Sequence, residues 1–115
     1  MSLSAKDIFE AKDVKIQGPI PVPEWGGDVY IRVMSVGERD AHEIEWLRNK
    51  DKGVTNFRTK FLVKVLCDIE GERLFKDADT DRLKKKSGDV MSRLFDVAMK
   101  YNAVAQDDVE EMAGN

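Results

Sequence analysis

The chain has 115 residues, of which 42% are hydrophobic and 36% charged, and its formal net charge is −3. This length suits one domain with one core, so the composition argues against wholesale disorder, and no apolar run is long enough to cross a membrane. The mixed, slightly acidic charge excludes a general attraction to nucleic acid.

The N-terminal segment predicts a short helix followed by extended chain. Ser4 and Asp7 form a Ser-x-x-Asp helix start. Asp13–Gln17 alternates like a strand, which Gly18 and Pro19 should end. The next prolines alternate with apolar residues, so this piece is predicted to be a sheet edge or an extended arm, because proline cannot donate to a central ladder. The alternating prolines are Pro19, Pro21 and Pro23.

A tight reversal that displays an aromatic ring comes next. Pro23 fixes φ, Gly26 and Gly27 permit positive φ, and Trp25 lies between them. Val29–Met34 then predicts a strand, which should pair with Val14–Ile16 or with the proline arm as an antiparallel hairpin.

Two helices should follow this hairpin. Ser35-x-x-Glu38 is a capping box that opens the first, whose apolar face is predicted from Ala41, Ile44 and Leu47. His42 and Trp46 lie on a different face. The residues from 56 to 67 predict a central buried helix, although their β-branched content leaves a strand possible.

The C-terminal half predicts turns and further helices. Asp68–Gly71 should turn, and Glu72–Phe75 should be short and extended. Acidic N-caps should open a basic helix over Asp81–Lys86, and Ser87–Asp89 should break it and start a second buried helix that ends near Asn102. A short acidic helix is predicted at Asp107–Met112. Together these elements predict a mostly helical α+β single domain, residues 1–115, with a small N-terminal antiparallel hairpin or sheet.

No motif predicts catalysis, a cofactor or a metal. Asp77, Asp79 and Asp81 imitate an EF-hand loop, but Arg82 and Gly88 stand where calcium binding needs glycine and glutamate. A metal-dependent enzyme that uses these acids is therefore only a third hypothesis, and we expect a non-enzyme.

The histidine and the cysteine are also poor candidates for chemistry. His42 and Cys67 are single residues of their kinds, too few for a usual zinc site, and their spacing does not indicate a nucleophile pair. Cys67 lies in an apolar run and should be a buried, inert thiol in a reducing compartment. The start of the chain has no secretory signal, so we expect a cytoplasmic protein.

Lys84–Lys86 is the basic run from which an alternative function follows. A small nucleic-acid-binding regulator could use these lysines, yet nearby aspartates dilute them and no aromatic residue interleaves them in sequence. A solvated helix face is the preferred interpretation.

Aromatic residues are the better candidates for a binding role. Trp25 and Trp46 could each close the core, or contact another chain, where tryptophan is enriched in hot spots. Both interpretations stay open. The candidates for protein contact are Trp25, Tyr30, Trp46 and Phe75.

The order of short motifs along nearly the whole chain resembles the tail assembly chaperones of long-tailed, non-contractile (lambda-like, siphovirus) bacteriophages. The motifs, in order, are Ser4–Phe9, Val22–Gly27, Val29–Met34, Asn56–Arg58, Leu66–Asp68, Gly71, Arg73–Phe75, Asp77–Asp79, Leu94–Ala98 and Asn102.

The resemblance implies a non-enzymatic role in the cytoplasm of the bacterial host. Such proteins bind the tape measure protein, help tail tube subunits polymerise around it, and are absent from the finished virion. Many also exist in a longer form made by ribosomal frameshifting, in which case this chain would be the short form. Self-association is expected, and the resemblance transfers no site residues.

Overall fold

The computed structural model describes residues 1–52 and 56–102, and the acidic helix predicted at Asp107–Met112 lies outside them. Its five α-helices are α1 (Ala5–Glu10), α2 (Val36–Asn49), α3 (Phe57–Val65), α4 (Thr80–Leu83) and α5 (Gly88–Asn102). Its three strands are β1 (Ile16–Val22), β2 (Gly27–Arg32) and β3 (Leu66–Cys67), and 3-10 turns cover Pro23–Trp25, Lys50–Lys52 and Asp77–Asp79. The predicted α+β class is confirmed.

The strands form one antiparallel sheet in the order β1-β2-β3. In the hairpin, Ile16 lies opposite Arg32 at the open end and Val22 lies opposite Gly27 at the closed end. The proline-bearing segment is therefore an edge strand, as predicted. Proline lacks a backbone N–H, and an edge strand tolerates this because one of its sides forms no ladder hydrogen bonds. The strand begins at Ile16 rather than Asp13 and continues through Gly18–Pro19, which is a cis peptide bond.

Both predicted helix starts, at Ser4 and Ser35, carry a capping box. Ser4 Oγ accepts from the Asp7 amide and the Asp7 carboxylate accepts from the Ser4 amide, at 3.2 and 3.0 Å. Ser35 and Glu38 repeat the arrangement at the start of α2. These helix starts are local hydrogen-bond patterns, which is why the sequence alone predicts them.

The core lies where β2 meets α3 and α5. Apolar side chains from the sheet, the central helix and the last helix bury one another. α3 is largely buried, as predicted, although its last two predicted residues form β3 instead. The innermost side chains are Val22, Ile31, Phe61, Leu62, Val63, Val65, Leu66, Cys67, Val90 and Leu94.

The predicted apolar face of α2 is wrong. Ala41 and Ile44 are exposed, whereas His42, Glu43 and Trp46 are buried. His42 packs against the rings of Phe57 and Phe61 of α3, at centroid distances of 5.2 and 5.3 Å. The rings of α3 select the helix face with the larger aromatic area, so Ala41 and Ile44 stay outside and Leu47 is only half-buried.

The basic helix is also shorter than predicted. α4 ends at Leu83, and Lys84–Lys86 continue as a turn whose amides donate to carbonyls in α4. The break at Ser87 and the restart into α5 are confirmed.

Gly18 should tolerate no side chain. Its φ is +152°, and a Cβ there would lie 2.5 Å from Tyr30 Cδ2, so we expect Gly18→Ala to lower the free energy of unfolding by about 1–3 kcal/mol. Gly27→Ala is the matched control, because nothing lies within 4 Å of its would-be Cβ. Urea unfolding of both variants measures the difference, and equal stabilities would contradict the expected clash.

Candidate functional site

A groove of about 600 Å³ opens between the hairpin tip and α4. Its apolar floor comes from Trp25, Leu74, Phe75 and Leu83. Charged side chains surround that floor, and three of the four are basic: Arg82, Lys85, Lys86 and Asp79. We call this surface the tip groove.

The hairpin tip presents Trp25 in a fixed position. Trp25 ends the 3-10 turn, and Gly26 closes it in the left-handed region with φ 77°, its amide donating to the Pro23 carbonyl at 3.0 Å. Glu24 accepts two hydrogen bonds from Arg93 of α5, at 3.1 and 2.8 Å. The Arg93 guanidinium lowers the pKa of the Glu24 carboxyl, so the pair is charged at neutral pH.

The opposite wall is tied to the core through the backbone. The Leu74 amide donates to the Leu66 carbonyl at 3.0 Å, and Arg73 donates from its guanidinium to the Val63 carbonyl and to Asp77. The pKa of Asp77 is lowered chiefly by its hydrogen bond from Arg73. Leu74 and Phe75 are thereby held beside α4, whose Leu83 is buried.

The basic side chains of the tip groove lack acidic partners in the described part of the chain. Arg82, Lys85 and Lys86 make no ion pair among residues 1–52 and 56–102, whereas the neighbouring Lys84 pairs with Asp81 at 3.2 Å. An apolar floor beside uncompensated positive charge favours a ligand with an apolar face and acidic flanks.

Two of the four predicted contact residues meet here. Trp25 and Phe75 both line the tip groove and pack partly on the core. Tyr30 lies half-buried on β2 against Gly18, away from the groove lining. Trp46 is only 8% exposed and meets the Phe57 ring edge-on at 6.5 Å, so its position in this chain is a core position.

The groove also uses residues that were not singled out as binding candidates. Leu74 and Leu83 supply half of its apolar floor, and Arg82 stands at its margin. The sequence places Leu83 in a basic segment. Only the folded chain, in which α4 and the hairpin tip line one groove, brings Leu83 and Trp25 to the same surface.

The other candidates for chemistry are dispersed. Within residues 1–52 and 56–102, no three histidine, cysteine or acidic side chains are grouped to hold a metal ion. Asp77 pairs with Arg73, Asp79 accepts from the Lys76 amide, and Asp81 pairs with Lys84. Cys67 is a buried free thiol whose pKa is raised by burial. No helix of the described residues is long and apolar enough to cross a membrane.

Comparisons with known proteins agree with the resemblance in sequence. Residues 3–113 match the family model for the phage tail assembly chaperone. The solved structure of the bacteriophage HK97 tail assembly chaperone is similar, with a TM-score of 0.61 and 25% identity over 88% of this chain and 95% of that one. No curated protein sequence gives a significant match. Because the family model spans nearly all of the sequence, the chain belongs to the phage tail assembly chaperone family.

Proposed function

We propose that this protein binds the tape measure protein without catalysis and helps recruit tail tube subunits around it. It acts in the cytoplasm of the bacterial host and is absent from the mature virion. The observation that carries the proposal is the tip groove, whose aromatic floor and basic margin suit an amphipathic client helix. The family membership and the likeness to the HK97 chaperone support it.

The physical need is to cover apolar surface for a limited time. A long helical client exposes apolar stripes that aggregate until the tail tube encloses them. A groove that accepts one helix face, with aromatic anchors in its floor, covers such a stripe and can later release it. Trp25 and Phe75 are the proposed anchors, because aromatic side chains provide large contact area at a low entropy cost.

Weak single contacts suffice if several copies act together. Each copy covers a short stretch of client, and neighbouring copies on one filament raise the effective concentration of the next contact. Tube subunits can then displace the copies one by one.

The decisive experiment is co-expression with the tape measure protein of the same phage, followed by affinity purification from the soluble fraction. We expect Trp25→Ala to weaken capture about thirtyfold, as loss of a hot-spot aromatic does, and Lys85→Glu to weaken it about threefold to tenfold. Val36→Ala is the control for the first change, since Val36 is an exposed apolar residue outside the groove. Lys100→Glu, an exposed residue of α5, is the control for the second.

The same proteins separate the proposed function from its rival. A tape measure protein that stays insoluble and unbound with the wild-type chain would contradict the proposal. Fluorescence anisotropy with duplex DNA at low salt tests the alternative use of Lys84–Lys86. Binding that falls steeply with added salt and disappears in Lys85→Glu would favour the nucleic-acid-binding regulator instead.

A further inference from the structure

The acidic end of the sequence carries the charge that the tip groove lacks. Four acidic residues and no basic residue follow Asn102, and without these four charges the formal net charge of −3 would be +1. The four acids are Asp107, Asp108, Glu110 and Glu111. The groove margin holds three cations that have no acidic partner within residues 1–52 and 56–102, namely Arg82, Lys85 and Lys86. Groove and acidic segment are therefore complementary in charge.

The acidic segment also has an apolar face. Helical projection at about 100° per residue places Val109 and Met112 about 60° apart, and Asp108 about 40° beyond Met112. Asp107 falls on the opposite side, and the other two acids lie about 100° from the nearer apolar residue, one on each side. The helix predicted at Asp107–Met112 thus has the chemistry that the tip groove favours, an apolar face with an acid beside it.

We propose that this segment, residues 107–112, docks in the tip groove of its own chain. Val109 and Met112 would lie on the apolar floor, and Asp108 would face the basic margin. A helix of six residues is unstable in water by itself, so the groove would supply the packing surface that such a helix needs.

The chain that follows α5 is long enough for this contact. The Asn102 side chain donates to the Arg32 carbonyl, so α5 ends at the open end of the hairpin. From there β2 spans about 17 Å to the closed end, where the tip groove begins. Five residue steps from Asn102 to Asp107 reach about 17 Å when extended, and five helical steps from Asp107 to Met112 add about 8 Å. The segment can therefore reach the groove without a taut linker.

Because the segment is tethered, a weak contact suffices. A short linker holds it near the groove at an effective concentration of about millimolar order, so docking needs little intrinsic affinity. A client helix that binds more tightly would displace it. The inference deepens the proposed function, and the competition with the client rests on that function: the segment would cover Trp25 and Phe75 until a client arrives.

Disulfide trapping in the whole chain tests the docking. Leu74→Cys/Met112→Cys protein under mild oxidation should give an internally linked monomer, at a yield that does not depend on protein concentration. Ile44→Cys/Met112→Cys is the matched control, because Ile44 and Leu74 are equally exposed at 46%, and Ile44 lies only about 12 Å from the start of α2, next to the Met34 that Asn102 contacts. We expect the control to link at least about tenfold more slowly.

Two outcomes of the trapping would overturn the proposal. One is equal linkage in the two proteins. The other is covalent dimers that replace the linked monomer as the concentration rises, since they would show that the segment reaches a second copy. The native Cys67 is buried, which keeps it out of the reaction.

Charge reversal tests which face of the segment docks. In the Leu74→Cys/Met112→Cys protein, Asp108→Lys should slow the linkage about threefold to tenfold, because it places a cation at the basic margin. Asp107→Lys is the control, since it makes the same change in net charge one residue away, on the opposite side of the projected helix. It should slow the linkage less than about twofold. Equal slowing by both would mean that net charge controls the reaction and would overturn the proposal.

Client capture distinguishes this inference from the proposed function. Val109→Ser/Met112→Ser removes both apolar contacts, so capture of the tape measure protein should become about threefold to tenfold stronger. Equal capture by the wild-type chain and the variant would overturn the competition. Trapping uses the chaperone alone, so docking can fail while client binding succeeds, and the reverse.

Discussion

Asn102→Ala is expected to lower the free energy of unfolding by about 2–4 kcal/mol, measured by urea unfolding. The buried Asn102 amide accepts from the Met34 amide at 2.8 Å and donates to the carbonyls of Arg32 and Ala98, at 3.2 and 3.1 Å. Truncation would remove these hydrogen bonds. The Met34 amide and the Arg32 carbonyl, at the end of β2, would then lose their hydrogen bonds to the Asn102 side chain. An unsatisfied buried group costs about 1–3 kcal/mol, which sets the size of the effect.

Asn49→Ala is the control for this variant. Asn49 also ends a helix, but its side chain makes one local hydrogen bond, to the Glu45 carbonyl at 2.7 Å, on a half-buried surface. We expect it to cost less than about 1 kcal/mol. Similar losses for both asparagines would mean that Asn102 does not join β2 to α5.

Local chemistry is the part of the fold that sequence predicts well. The capping boxes at Ser4 and Ser35 join residues three apart, and the prolines restrict β1 to an edge by their own geometry. The confirmed hairpin follows from the tight turn at Gly26. Each of these features depends on residues close together in the sequence, so it can be predicted without the tertiary structure.

Features that join distant segments were missed or wrong. Asn102 reaches Met34 across 68 positions, and Glu24 reaches Arg93 across 69. The face of α2 was wrong because Phe57 and Phe61 select His42, which aliphatic spacing alone does not show.

The candidate site was partly predictable for the same reason. Trp25 and Phe75 were expected contact residues from their chemistry, but Leu74 and Leu83 join them only through the docking of α4 near the hairpin tip. The basic margin was visible as the run ending at Lys86. Its position beside aromatic residues is tertiary, since no aromatic interleaves the run in sequence. The sequence shows that aromatic and basic residues are present, but tertiary packing determines which of them lie side by side in the groove.

His42 should make stability depend on pH between about 6.5 and 4. The ring is 3% exposed, and neither Nδ1 nor Nε2 has a hydrogen-bond partner in the described residues. Burial, reinforced by the charge of Lys64 and opposed by Glu45 and Glu43, lowers the pKa of His42 to about 4. The neutral ring is therefore the folded form at neutral pH.

The sign follows from proton uptake. Below pH 6.5 the unfolded chain protonates His42 while the folded chain does not, so stability falls with pH until the folded pKa near 4 is reached. The shift corresponds to about 3 kcal/mol. Glu38, whose pKa is lowered to about 2 chiefly by its hydrogen bond from Arg32, loses its contribution as pH falls from about 4.5 to 2. The two effects therefore overlap only between about pH 4.5 and pH 4.

His42→Phe isolates the histidine. A phenylalanine keeps a ring between Phe57 and Phe61 but carries no proton and no unsatisfied nitrogen, so we expect equal or greater stability at pH 7. Urea unfolding at intervals from pH 7 to pH 4 should show the wild-type chain losing stability while the variant loses much less. Parallel curves for the two proteins would mean that other groups cause the loss. Divergence that begins near pH 6.5 and ends near pH 4 would identify His42 as its cause, because the ring titrates over that range.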